Sequence, residues 1–118
     1  MSRSLTFYKG DTIERTLYFF TRNTSDPKLK KPYQIPSGSV IELKFPGGVS
    51  ISSADSEVSF TANDVKATYT ISAVKSANLS TSNSRQDITV IVYEGGAGLL
   101  PKTFVDEDVL YVKSRPNT

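Results

Sequence analysis

Two short charged runs hold the residues whose types and spacing could do chemistry. Lys28, Lys30 and Lys31 stand close together with Tyr33 just behind them, and Asp106-Glu107-Asp108 form an acidic triplet near the other end. Lysines beside an aromatic ring can pair with phosphates while the ring stacks on bases, as in single-stranded nucleic-acid binding. A proline-broken lysine loop is more commonly a solubilising loop or a docking arm for an acidic neighbour. The net charge of +2 also falls short of a nucleic-acid footprint, so no nucleic-acid partner is expected. The triplet, alone or with Asp55 and Glu57, could offer oxygen ligands to Ca²⁺, but its spacing matches no calcium loop, and adjacent loop carboxylates are usually solvated. Glycoside cleavage needs two carboxyl groups facing each other across a cleft, and nothing in the spacing sets such a pair.

The chain contains no histidine and no cysteine. Imidazole general bases, thiolate nucleophiles, disulfides and Cys- or His-ligated metals are therefore excluded. Gly95-Gly96-Ala97-Gly98 shares its glycine content with phosphate-cradling loops. It lacks the Lys-Ser/Thr and the helix that would follow, and reads as a hairpin tip. Tyr8, Tyr18, Tyr33, Tyr93 and Tyr111 could build a sugar platform or a protein interface, half-buried strand tyrosines being the default. No enzyme activity, cofactor or metal is expected.

The elements that must position these residues read as strands. With 118 residues, the chain is expected to be one domain. A 37% apolar content with plentiful Ser and Thr suits β-structure better than a helical bundle. Bases dominate up to Ser50, and the remainder is mildly acidic. Ser4 to Tyr8 is a short first strand. A Gly10-Asp11 turn then feeds a long one, with Ile13, Leu17 and Phe19 on one face and Glu14, Thr16 and Tyr18 on the other. Arg15 falls on the apolar face, so either its stem snorkels out or a bulge shifts the register. Residues 22–38, with Pro27, Pro32 and Pro36, are expected to be a long polar loop without a regular ladder, pinned by Tyr33 and Ile35.

Ile41, Leu43 and Phe45 face inward on the next strand, which turns at Pro46-Gly47-Gly48 into Val49 and Ile51. Val58 to Phe60 and Ala67 to Ile71 are further strands, and Ser72 to Leu79 is the one helical turn. Asp87 to Glu94 turns Ile88, Val90 and Val92 inward. Ile91 and Tyr93 on its opposite face predict a central strand covered on both sides. Thr103 to Val105 and Val109 to Val112 close the fold, and residues 113–118 form a frayed tail. Seven to nine short strands at roughly ten-residue spacing predict an all-β fold, an antiparallel β-sandwich of Ig-like or fibronectin-like topology, with a small barrel as the second choice.

Four stretches in this order carry a resemblance: Lys9-Gly10-Asp11-Thr12 before an alternating strand, Gly38 to Phe45, Ala67 to Ser72, and Gln86 to Glu94 before a glycine-rich tip. Their layout resembles the immunoglobulin-like N-terminal domains of phage baseplate upper proteins and related virion β-domains. The loop from Arg22 to Gly38 departs from that pattern. So does the chain's stop after the sandwich, where baseplate proteins continue into a fibrous or receptor-binding region. The resemblance implies a bacteriophage virion assembly protein of tail, baseplate or capsid decoration. It would be assembled in the host cytoplasm and dock on other virion proteins or on copies of itself. Lys28, Lys30, Lys31, Tyr33, Asp106, Glu107 and Asp108 are then the expected docking residues. The alternatives are a host-surface glycan-binding module and a small non-virion phage effector that binds a host protein. The start has no apolar run suited to a signal peptide, and no segment is long enough to span a bilayer as a helix, so no membrane partner is expected.

Overall fold

The computed structural model describes residues 4–22, 30–86, 88–105 and 109–113. Twelve strands follow in chain order: β1 (Ser4–Tyr8), β2 (Ile13–Tyr18), β3 (Phe20–Arg22), β4 (Lys30–Pro32), β5 (Val40–Phe45), β6 (Val49–Ser52), β7 (Val58–Phe60), β8 (Lys66–Ile71), β9 (Ser82–Gln86), β10 (Thr89–Tyr93), β11 (Pro101–Val105) and β12 (Val109–Lys113). Among the described residues the helical content is a 3₁₀ turn at Ser53–Asp55 and a single α-turn, α1 (Ala73–Ser76).

The fold is all-β and sandwich-like. A sheet of order β11-β10-β5-β6 lies on one side and a sheet of order β2-β8-β7 on the other. Phe45 of β5 meets Tyr69 of β8 with ring centroids 5.8 Å apart, which marks the core between them. This strand order is that of the two sheets of an Ig-like sandwich. Twelve strands replace the expected seven to nine because long strands are divided. Phe19 separates β2 from β3, and one long hairpin supplies four strands, β10 pairing with β11 and β9 with β12.

Alternation sets the faces as expected. Ile13, Leu17 and Phe19 are buried, as are Ile41, Leu43, Phe45, Ile88, Val90 and Val92. The β2–β8 register runs without a break through Arg15 opposite Tyr69, so Arg15 needs no bulge. It snorkels instead, its guanidinium 5.5 Å from the Phe7 ring centroid.

Three features differ from the sequence reading. β1 pairs with β12 in parallel, so the antiparallel pattern has one exception, made where the first and last described strands run side by side. The stretch from Arg22 to Gly38 is not ladder-free, since β3 and β4 form an antiparallel ribbon with Phe20 opposite Pro32. Proline is tolerated there because it occupies the last pair of a two-stranded ribbon, where each strand has one unpaired side. Finally, β10 is central, between β11 and β5, but its outer face is less deeply buried than its inner one. Ile91 and Tyr93 on the outer face are half-buried, whereas Val90 and Val92 on the inner face are fully buried.

Candidate functional site

β2 leads into β3 and β5 starts after β4, so the β3–β4 ribbon rises from the same end of the sandwich as the β10–β11 hairpin tip. The ribbon's return is tied down by backbone hydrogen bonds. Tyr33 N donates to Phe19 O (3.0 Å), Ile35 N to Asp64 O (2.9 Å) and Asn63 N to Ile35 O (2.7 Å). Tyr33 and Ile35 are both buried, as the pinning role required.

Beside them, three rings pack together. Tyr33 and Phe104 lie 5.0 Å apart, Phe19 and Phe104 meet edge-on at 5.5 Å, and Phe19 and Tyr33 are 6.2 Å apart. The Tyr33 hydroxyl donates to Glu94 Oε2. Lys102 Nζ lies 3.6 Å from the same oxygen and 5.2 Å from the Tyr33 ring centroid. Tyr33, Glu94 and Lys102 thus clamp the base of the hairpin to the root of the ribbon.

Above the clamp, residues 94–100 form a closed tip. Glu94 N donates to Leu100 O (3.2 Å), Gly96 N to Tyr93 O (3.2 Å) and Leu99 N to Gly96 O (3.0 Å). Gly96 and Gly98 take positive φ (103° and 76°), and so does Leu100 (49°), a conformation that strains a side-chain-bearing residue. A Cβ on Gly95 would sit 3.1–3.2 Å from atoms of Leu99 and Leu100, so the missing side chain lets the leucines pack down on the turn. Leu99 and Leu100 are nonetheless 60% and 69% exposed. Two adjacent solvent-facing leucines thus stand on a hydrogen-bonded tip, and Phe20 on the ribbon is 43% exposed.

The expected docking residues divide accordingly. Lys31 is exposed on β4. Lys30 belongs to the same strand, opposite Arg22, with its side chain outside the described residues, as is all of Lys28. Tyr33 lies inside the clamp rather than on a presenting surface. Asp106, Glu107 and Asp108 lie outside the described residues. The second acidic pair does not converge, because Asp55 is exposed while Glu57 accepts from Ser52 N (3.2 Å) and pairs with Lys75 at 2.6 Å. Among the described residues, no group of three or more His, Cys, Asp or Glu is placed to hold a metal ion. The sequence reading missed Glu94, Leu99, Leu100 and Lys102. Its available signal was two leucines directly behind a glycine run, where turn chemistry favours polar residues.

Burial, followed by the hydrogen bond to Glu94 and its charge, holds the Tyr33 phenol well above its ordinary value near 10. The folded protein then keeps a proton that the unfolded chain loses, so the stabilisation is complete below about pH 10 and declines as pH rises beyond it. Urea midpoints measured from pH 8 to pH 11 are expected to fall above about pH 10 and to fall less steeply in Tyr33→Phe. Equal slopes would contradict a protonated Tyr33 clamp.

No family model, curated protein or solved structure matches this chain.

Proposed function

We propose that this protein is a docking module of a bacteriophage particle, binding a neighbouring virion protein through the Leu99-Leu100 tip. The observation that carries this reading is the exposed leucine pair on a tip fixed at its base by Tyr33, Glu94 and Lys102. Exposed apolar pairs on rigid supports suit binding, because little conformational freedom remains to be lost on contact. Lys31 on the adjacent ribbon would add charge steering at the rim. The virion setting comes from the resemblance of the strand and turn motifs to phage β-domains. Many copies in a lattice would let a modest single-site affinity suffice.

Three of the five candidate tyrosines do not converge, which favours this reading over glycan binding, while Tyr8 and Tyr111 share the outer face of the β1–β12 pair. Tyr33 is interior, Tyr93 donates to Glu42 Oε1 (3.3 Å), and Tyr18 lies on the sheet opposite. Immunogold electron microscopy of purified particles from the source is the direct test. Regular labelling at a capsid, neck or tail is expected, and bare particles with demonstrably exposed epitopes would move the protein to the free-effector reading. The double variant Leu99→Ser/Leu100→Ser should cut incorporation into particles at least tenfold with little change in melting temperature. That loss is the order expected for removing a pair of interface anchors. Unchanged incorporation would exclude the tip.

A further inference from the structure

β6 is the outermost strand of the β11-β10-β5-β6 sheet, so among the described residues one row of its backbone groups has no strand to pair with. Such a row is a ready template for another chain, and Val49-Ser50-Ile51-Ser52 alternates apolar and polar residues as a pairing strand does. Groups from elsewhere in the chain close it. Lys75 Nζ donates to Ser50 O (3.0 Å) and pairs with Glu57 Oε2 (2.6 Å). Glu57 Oε1 accepts from Ser52 N (3.2 Å), and Glu57 N donates to Ser52 O (3.2 Å). Both capping residues are held in place. Lys75 N donates to the Ser72 hydroxyl that caps α1 (3.2 Å), and Glu57 O accepts from Thr70 N (2.9 Å) just before β7. An open hollow lined by Gly48, Val49, Ser50, Lys75 and Asn78 adjoins this edge, so the lysine is what stands in the approach to it.

We infer that Lys75 and Glu57 cap β6 against a second copy of this chain, whose own β6 would otherwise join it edge to edge. Ser50 decides the geometry. Its carbonyl points away from β5, and in a strand the N–H of the same residue points the same way. A two-fold axis at Ser50 lets the N–H of each copy donate to the C=O of the other, so β6 is self-complementary as an antiparallel pair. The Lys75 ammonium already occupies that carbonyl, and Glu57 occupies the next outward donor, Ser52 N. An incoming strand must displace two charge-assisted hydrogen bonds, which neutral backbone bonds do not offset. The short turn α1 therefore does more than pack, since it delivers Lys75 to the edge. The cap lies at the opposite edge of the sheet from β11 and the Leu99-Leu100 tip, so it is independent of what the tip binds.

Analytical ultracentrifugation over about 1 μM to 1 mM tests the cap. Lys75→Met/Glu57→Ala should form dimers at concentrations roughly tenfold or more below any at which wild type does, since backbone bonds between copies replace the lost cap. Partly exposed ion pairs add little stability, so the variant should fold, which circular dichroism checks. Adding Ser50→Pro should return it to wild-type behaviour, because proline removes the outward N–H and costs no bond to β5. In the dimer, the Ser50 amide should exchange with deuterium about tenfold more slowly than in wild type at the same concentration. Lys75→Met alone, which keeps Glu57 on Ser52 N, covers the case in which the double variant does not fold, and should associate in the same direction. An uncapped variant no more associated than wild type overturns the inference. So does association that Ser50→Pro leaves unchanged, or a wild type that already dimerises until Ser50→Pro abolishes it.

Discussion

Gly47→Ala is expected to lower the unfolding free energy by about 3 kcal/mol, a large effect for one methyl group. Two causes act together at this position. Gly47 has φ of +93°, where an L side chain is strained. A Cβ there would also lie 2.5 Å from Asn78 O and 2.7 Å from Ser80 N, both backbone atoms that no rotamer change can move. The β5–β6 turn therefore has to back away from the segment after α1, giving up the hydrogen bond from Ser80 N to Pro46 O (3.3 Å). Gly48→Ala is the internal control. Its φ is +77°, but its added Cβ would meet nothing within 4 Å, so only the conformational strain applies, about 1 kcal/mol. For a domain of this size, each kcal/mol corresponds to about 4 °C of melting temperature, so the two variants should be readily separated by thermal melting. Equal melting temperatures would show that the turn does not approach Asn78 and Ser80 so closely.

The second large effect is expected at Ser76, a fully buried polar residue on α1. Its hydroxyl accepts from Gly10 N (3.0 Å) and donates to Asp11 O (2.6 Å). One side chain thus satisfies both a donor and an acceptor of the Gly10-Asp11 turn, which lies far from it in sequence. Ser76→Ala removes the hydroxyl that both half-buried backbone groups bond to, at a cost of about 2 kcal/mol. Denaturant unfolding measures the loss. Hydrogen exchange localises it, since the Gly10 amide should exchange at least tenfold faster than in the wild type. An unchanged Gly10 amide would mean that water replaces the hydroxyl without loss.

These two sites show where sequence reasoning stops. The Gly10-Asp11 turn was legible, because glycine's freedom at positive φ (88° here) and the strand behind it are local properties. Its tie to Ser76 was not, since α1 reads only as a short amphipathic turn. Pro46-Gly47-Gly48 likewise read as a turn, but nothing in the triplet says that Asn78 and Ser80 crowd one glycine and not the other.

The candidate site divides in the same way. A hairpin tip at Gly95–Gly98 and the pinning of Tyr33 and Ile35 were both readable. Lys102 and Glu94 are separated by the tip, and they converge on Tyr33 only because the hairpin folds back beside the ribbon. No local rule connects them.

By itself the sequence determined which residues face inward on β2, β5, β8 and β10, where the main turns fall, and that the fold is an all-β sandwich. Period-two alternation and glycine or proline punctuation act between neighbours, so a single chain displays them directly. Only the tertiary structure decided that β1 runs parallel to β12, that β3 and β4 form a ribbon, and which face of β10 is the less buried. Strand pairing depends on contacts between segments far apart in the chain, and many pairings satisfy the same alternation. The one adopted is selected by the packing of the whole core.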